Sequence, residues 1–243
     1  MKMIDIHGHM GMTSSGQAID VDGLVSSMDE FGISITGISS LSGIVTKKQN
    51  DLVLECKNRY PDRVRAYAFI NPKAADVHDE IDKRLGDQKF DGVKFHPWKH
   101  GYYSDNTPQI DKVLDHIQEY GAMCQVHVGT SPLATPYAWI RYAQKKPGLR
   151  MVFTHMGCRE FAFSVLKAVP EVKNIYLETS VIYDRDVIEN VRDAVGAQRI
   201  VFGSDWPYKS VAVEIAKVYK MKLTDEELEY VFYKNAEELL TRR

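Results

Sequence analysis

Met3-Ile4-Asp5-Ile6-His7-Gly8-His9 is the stretch on which the reading of this chain turns. Side chains alternate along a β-strand, so Ile4 and Ile6 share one face while Asp5, His7 and His9 share the other. The alternation predicts isoleucines against a layer of helices and the polar set toward an enclosed axis. Histidines two positions apart on a strand have Cα atoms about 6–7 Å apart. Their imidazoles can converge on one ion at about 2.0–2.1 Å per Zn–N bond. A pair of loop histidines satisfied by ordinary hydrogen bonds explains the same seven residues, so the decision lies in the other strands.

Outward from this stretch, short β-rich runs alternate with longer helical ones. Met3–His7, Ile33–Ser39, Val64–Ile70, Gly92–His96, Ala122–Val128, Met151–His155, Ile175–Thr179 and Arg199–Ser204 read as strands. Their starts recur at roughly 25–30 residues, about one βα unit each. The helices between them carry end signals. Thr107-Pro108 reads as a cap followed by a first-turn proline. Gly32, Gly86, Gly121 and Gly196 stand where left-handed residues close helices, and Thr224 and Glu227 have capping-box spacing. Eight such units allow an open doubly wound sheet or a closed barrel. No phosphate-loop or dinucleotide glycine pattern favours the open sheet. The unusual polar residues fall at the C-terminal ends of many strands, where barrels of this class place their chemistry. The expectation is therefore an α/β fold, a closed (β/α)8 TIM barrel of eight parallel strands, with residues 1–243 as a single domain.

The later strands raise the weight of the histidine pair. The fifth, MCQVHVG, presents His127; the sixth, MVFTHMG, ends in His155; the eighth, RIVFGSDWP, ends in Asp205. Closure of the eighth strand on the first would set Asp205 beside His7 and His9. Three neutral imidazoles and one carboxylate suit zinc or another first-row divalent ion. In GVKFHP, Lys94 and His96 share a parity that points inward. Lys94 reads as neutralising buried carboxylates or holding an anionic substrate, with a bridge between two metals as the alternative. His96, Trp98 and Arg159 are expected to contact substrate, Arg159 through a carboxylate. Asp5 reads as a hydrogen-bonded residue beneath the site, Glu178 as a carboxylate behind a ligand, and His78 and His116 as solvated helix residues.

On IDIHGH, GVKFHP, QVHVG, FTHMG, FGSDWP and the terminal KNAEELL, the chain resembles the amidohydrolase superfamily over essentially its whole length. Within it the chain is similar to the amidohydrolase-related branch, which holds aminocarboxymuconate-semialdehyde decarboxylase, aromatic-acid decarboxylases and a pyrone-dicarboxylate lactonase. The resemblance implies that His7, His9, His127 and Asp205 bind one divalent metal ion, zinc first and manganese second. It implies that His155 stands beside the substrate rather than on the metal. A divalent ion with an open position lowers the pKa of its water to about 7. Asp205 would then act as general base, and His155 would help stabilise the oxyanion. The expected activity is hydrolysis of an amide, lactone or ester carbonyl in a small anionic substrate. Non-oxidative decarboxylation of an unsaturated or aromatic acid is the alternative. The chain is shorter than many relatives, so their substrate contacts cannot be copied onto it.

The totals restrict the partners. The 243 residues carry a formal net charge of −2, with 44% apolar and 26% charged residues. That balance favours no nucleic acid or acidic membrane as partner. No apolar run approaches the ~20 residues of a membrane helix, and no leader pattern precedes Met3. Cys56, Cys124 and Cys158 are odd in number and unpatterned, which predicts free thiols and a cytoplasmic protein. The aromatic-rich helix around Tyr137, Trp139, Ile140 and Tyr142 is expected either to pack in the core or to form a homodimer contact.

Overall fold

The computed structural model describes residues 1–13, 18–41 and 46–241, excluding the Arg159 side chain. In chain order its elements are β1 (Met3–Met12), β2 (Ala18–Ile19), α1 (Val21–Phe31), β3 (Ile33–Ser40), α2 (Thr46–Arg59), β4 (Val64–Phe69) and α3 (Val77–Ile81). Next come β5 (Gly92–Phe95), α4 (Pro97–His100), α5 (Gln109–Glu119), β6 (Met123–His127), α6 (Tyr137–Lys145), β7 (Met151–Thr154) and α7 (Cys158–Ala168). The last are β8 (Ile175–Glu178), α8 (Arg185–Val195), β9 (Ile200–Val201), α9 (Val211–Tyr219), α10 (Asp225–Glu229) and α11 (Asn235–Leu240).

The strands form one curled, mostly parallel sheet in the order β2-β1-β3-β4-β5-β6-β7-β8-β9. All eight strands expected from the sequence are present. The ninth, β2, was not expected: it pairs antiparallel with the far end of β1, Gly11 opposite Ile19 and Met12 opposite Ala18. The ladders therefore form an open, curled sheet and not the closed eight-membered ring expected above. Beyond β9 the chain turns back on β1. Ile6 N–H donates to the Phe202 carbonyl at 3.0 Å, Asp205 N–H to the His7 carbonyl at 2.8 Å and His9 N–H to the Trp206 carbonyl at 2.9 Å. β9 itself is short, pairing with β8 only at Ile200 and Val201, and the next residue, Phe202, donates its N–H to the Val231 carbonyl at 2.9 Å.

Two buried clusters divide the core. The larger joins one face of the strands, including Ile38, Ala66, Val93, Val126, Phe153 and Leu177, to helix residues such as Leu24, Val53, Val113 and Val191. The smaller holds Ile4, Ile6, Tyr67, Met123, Val152, Tyr176 and Val201, covered by Ala236 and Leu239 of α11. This corrects the first expectation for β1, since Ile4 and Ile6 lie with the second set and not against the main helix layer. Register shifts between Met3 and Ile4 and between Asp5 and Gly8 break the strict alternation on which that expectation rested.

Helix ends follow the sequence in part. Thr224 and Glu227 form the capping box, and Gly32 and Gly121 are left-handed after α1 and α5. Gly86 instead lies inside a π-helical extension of α3, Asp82–Asp87. The Thr107 hydroxyl is spent on the Tyr103 carbonyl at 2.8 Å and caps nothing. Trp139 is fully buried and packs on Phe95 at 5.2 Å, so α6 uses its indole in the core and leaves Tyr137 exposed. The three cysteines are free and buried. No helix among the described residues is long and apolar enough to cross a membrane.

Candidate active site

The C-terminal ends of the parallel strands carry the polar residues. Asp5 lies beneath them, accepting from His7 N–H and Ser204 N–H at 3.0 Å each and from the Ser204 hydroxyl. Burial pushes its carboxyl up to about 7, against the pull of those donors. By tying β1 to the segment after β9, Asp5 fixes where His7 and Asp205 stand.

His7, His9 and Asp205 are brought together, with one ligand atom from each within 4.8 Å of the others. Asp205 Oδ1 lies 2.9 Å from His9 Nε2 and 3.7 Å from His7 Nε2. The other nitrogen of each ring is already committed. His7 Nδ1 faces Glu178 Oε2 at 2.9 Å and His9 Nδ1 faces the Ser39 carbonyl at 3.3 Å. A carboxylate and a carbonyl only accept, so both rings carry their proton on Nδ1 and turn an Nε2 lone pair inward. Burial is the first cause holding both imidazoles below their ordinary value. Burial works to raise Asp205, but the His9 contact and the neighbouring imidazoles hold it well below the usual carboxylate range. Two imidazole lone pairs and a carboxylate thus converge without a proton to share. This donor set is one cation short, and its N,N,O composition fits a divalent first-row metal.

Lys94 partly answers that shortage. Its Nζ donates to His7 Nε2 at 3.0 Å and to Gln125 Oε1 at 2.9 Å, while Gln125 donates to the Ile6 carbonyl. Burial lowers its ammonium to about 7, opposed by the Asp205 and Glu178 charges. Lys94 touches the cavity but its head group is engaged inside the protein.

His127 stands apart from the three-residue set. Its Nε2 lies 3.0 Å from the Thr130 hydroxyl, and its ring stacks on His96 with centroids 3.9 Å apart and planes 11° apart. Both rings are held well below their ordinary value, first by burial. His155 is 5.0 Å from His127 and 5.2 Å from His7, centroid to centroid. Its Nδ1 donates to the Ser180 carbonyl at 3.3 Å and lies 2.9 Å from the Ser180 hydroxyl, leaving Nε2 without its proton. Burial lowers this ring to about 4. His155 and Asp205 both adopt left-handed backbone, φ 64° and 57°. Strain of this kind concentrates where side chains must be aimed.

These groups open on a cavity of about 300 Å³. His9, Lys94, His96, His127, His155 and Asp205 reach it from the strand ends. Leu41, Trp98, Lys99, Thr130, Val181, Tyr208 and Lys209 complete its walls. Trp98 is half exposed, as a wall residue requires. The Arg159 side chain lies outside the described atoms, so its expected substrate contact has no structural account.

The amidohydrolase family profile matches residues 4–242. The chain belongs to the amidohydrolase family. Solved structures share its fold at low identity. A 2,6-dihydroxybenzoate decarboxylase from Rhizobium superposes with a TM-score of 0.79 at 16% identity, covering 98% of both chains. A manganese-bound 5-carboxyvanillate decarboxylase from Novosphingobium aromaticivorans gives 0.84 at 15%, covering 98% of this chain and 97% of that one. An Acinetobacter baumannii protein named as a probable 2-pyrone-4,6-dicarboxylic acid hydrolase, with citric acid bound, gives 0.74 at 17%, covering 99% of each. No curated protein matches significantly by sequence.

Several residues of this amidohydrolase escaped the sequence reading. Gln125 left a signal, a polar residue inside the apolar strand MCQVHVG with the parity of His127. Lys99 and Lys209 follow Trp98 and Tyr208 closely and make a cationic rim. Ser39 and Ser180 act on the histidines through both a carbonyl and a hydroxyl, which no pattern of residue types reveals. Glu178 was read as a carboxylate behind a ligand, and it lies 2.9 Å from His7 Nδ1.

Proposed function

We propose that this amidohydrolase is a metal-dependent hydrolase of a small anionic substrate, attacking an amide, lactone or ester carbonyl with water. The observation that carries this reading is the convergence of His7, His9 and Asp205 beside the open Nε2 of His155. These three, with His127 as the fourth ligand of the notably histidine-rich wall, would hold one divalent ion, zinc first and manganese second. When bound, such an ion supplies Lewis acidity that makes water nucleophilic near neutral pH and polarises a carbonyl. Asp205, held as a carboxylate, accepts the proton of the attacking water and passes it to the leaving group. His155, with Nδ1 donating to Ser180, keeps an Nε2 lone pair toward the cavity, where it accepts a hydrogen bond from the attacking water and orients it. Lys99 and Lys209 attract a substrate carboxylate to the mouth, while His96 and Trp98 offer flat surfaces to a planar group.

The backbone bonds from Ile6, His9 and Asp205 across the sheet edges support a barrel closed between β1 and the β9 segment, with 1–243 as one domain. Three free thiols fit a reducing, cytoplasmic setting.

A second reading, decarboxylation of an aromatic or unsaturated acid, is favoured by the two decarboxylases that share the fold. One experiment decides. The zinc- and manganese-loaded protein is offered a panel of lactones, amides, esters and aromatic acids, scored separately for acid and for CO₂ release. Acid release from a carboxylate-bearing lactone, amide or ester, lost in His7→Ala and His9→Ala together with the metal, is expected. CO₂ release replaces the first reading by the second. Metal retained at full occupancy in both variants overturns the ligand assignment.

A further inference from the structure

A second group of nitrogen donors lies on the helical layer, and the reaction proposed above makes no use of it. His78 of α3 and His116 of α5 turn toward each other, Nδ1 to Nδ1 at 2.8 Å, with ring centroids 5.0 Å apart. None of the residues involved lines the cavity. Behind His116, Asp82 Oδ1 lies 2.8 Å from Nε2, and the Tyr120 hydroxyl donates to the same oxygen at 2.6 Å. The Tyr120 bond is the first cause holding the Asp82 carboxyl below its ordinary range, so it is ionised and only accepts. His116 therefore carries its proton on Nε2 and aims a lone pair from Nδ1 at His78. This repeats the device by which Glu178 turns His7: a carboxylate fixes one ring nitrogen and frees the other for a metal.

The spacing is also short enough for both nitrogens to reach one ion. With bonds of about 2.0–2.1 Å, two nitrogens at a 90° metal angle stand about 2.9 Å apart, and at a tetrahedral angle about 3.4 Å apart. The observed 2.8 Å is held by the hydrogen bond between the rings and lies nearer the former, so the smaller movement leads to a 90° site. Two imidazoles in a tetragonal arrangement suit Cu²⁺ or Ni²⁺.

We propose that His78 and His116 form a surface site for a tetragonal divalent transition metal, with water completing its coordination. In the metal-free protein His78 Nδ1–H donates to His116 Nδ1. On binding, His78 moves that proton to its exposed Nε2, so both rings stay neutral and no group is lost.

Copper titration with electron paramagnetic resonance tests the site in the full chain. A His7→Ala/His9→Ala background removes two of the four cavity ligands; the zinc-loaded wild type serves as a second background should that variant not fold. Either is expected to take up one copper equivalent with hyperfine structure from two nitrogens. Adding His78→Ala, a change at an exposed position, should weaken that equivalent at least tenfold and remove one nitrogen from the pattern. Asp82→Asn should weaken it about 10-fold to 100-fold while keeping both nitrogens. The proposal is overturned if copper uptake and the nitrogen pattern are the same with and without His78, or if neither background binds copper.

Discussion

Glu178 is fully buried and receives donors from several directions: His7 Nδ1–H at 2.9 Å, His155 N–H at 3.2 Å and the Ser180 hydroxyl at 2.9 Å. Gly203 makes room for it, since a Cβ there would stand 2.3 Å from Glu178 Oε1. It does not line the cavity; it sets the tautomer and aim of His7 and, through Ser180, of His155. Glu178→Gln puts an amide N–H₂ among those donors, so metal affinity should fall about 10-fold to 100-fold with the fold intact. Competition against a chelator, with circular dichroism as the control, measures this; unchanged affinity would remove Glu178 from the site. Lys94 should act in the opposite sense. Its Nζ holds the lone pair of His7 that a metal needs, and a charge-assisted bond of this kind is worth about 1.5 kcal/mol. Lys94→Met should therefore tighten zinc binding about tenfold by calorimetry. Weaker binding would mean that Lys94 helps to build the ligand cradle.

At the scale of elements, β3 and β4 meet at a point where no side chain fits. A Cβ on Gly37 would stand 1.9 Å from the Tyr67 hydroxyl and 2.3 Å from its ring, and Tyr67 is fully buried. Gly37→Ala should cost about 2 kcal/mol or more through overpacking, lowering the melting temperature by roughly 4–8 °C in a chain of this size. A melting temperature within 1 °C of wild type would show that the ring can move away. The same elements show what the sequence made legible. Short β-rich runs recurring once per βα unit located all eight parallel strands, and several of them close on a His or Asp, because β patterning and strand-end chemistry are local properties. β2 was not legible: two residues cannot display a period, and its pairing follows from the extension of β1 past His9. The facing of Ile4 and Ile6 was misread because register shifts reset the alternation, and these depend on the neighbouring strand. His7, His9 and Asp205 converge as the closing strands suggested. His127 turns to Thr130 and His96, a choice set by the loop after β6. His116, read as solvated, is half buried and paired with Asp82 by the packing of α3 on α5.

Across the whole molecule, the balance of buried ionisable groups sets how stability depends on pH. Six of the eight histidines lie below their ordinary value, each first because burial disfavours the charged ring. In the unfolded chain these rings titrate near 6.5. Between 6.5 and the lower folded values the unfolded chain binds more protons, so stability falls as pH falls through that window. Asp5, raised to about 7, and Glu214, also raised by burial, work in the opposite direction, because their folded forms bind the extra proton. Six groups against two leave a net loss on acidification. His100 isolates one share of it. It lies outside the ligand set, its ring tilted against Phe69 with centroids 4.2 Å apart, and burial lowers it to about 4. Two pH units between 6.5 and 4.5 correspond to at most about 2.7 kcal/mol for one such ring. His100→Phe keeps an aromatic ring against Phe69 and removes the titration. From pH 7 to 4.5, the metal-free wild type should therefore lose about 2 kcal/mol more unfolding free energy than the variant, read by urea denaturation. Parallel losses in the two proteins would mean that the folded His100 takes up its proton at the same pH as the unfolded one.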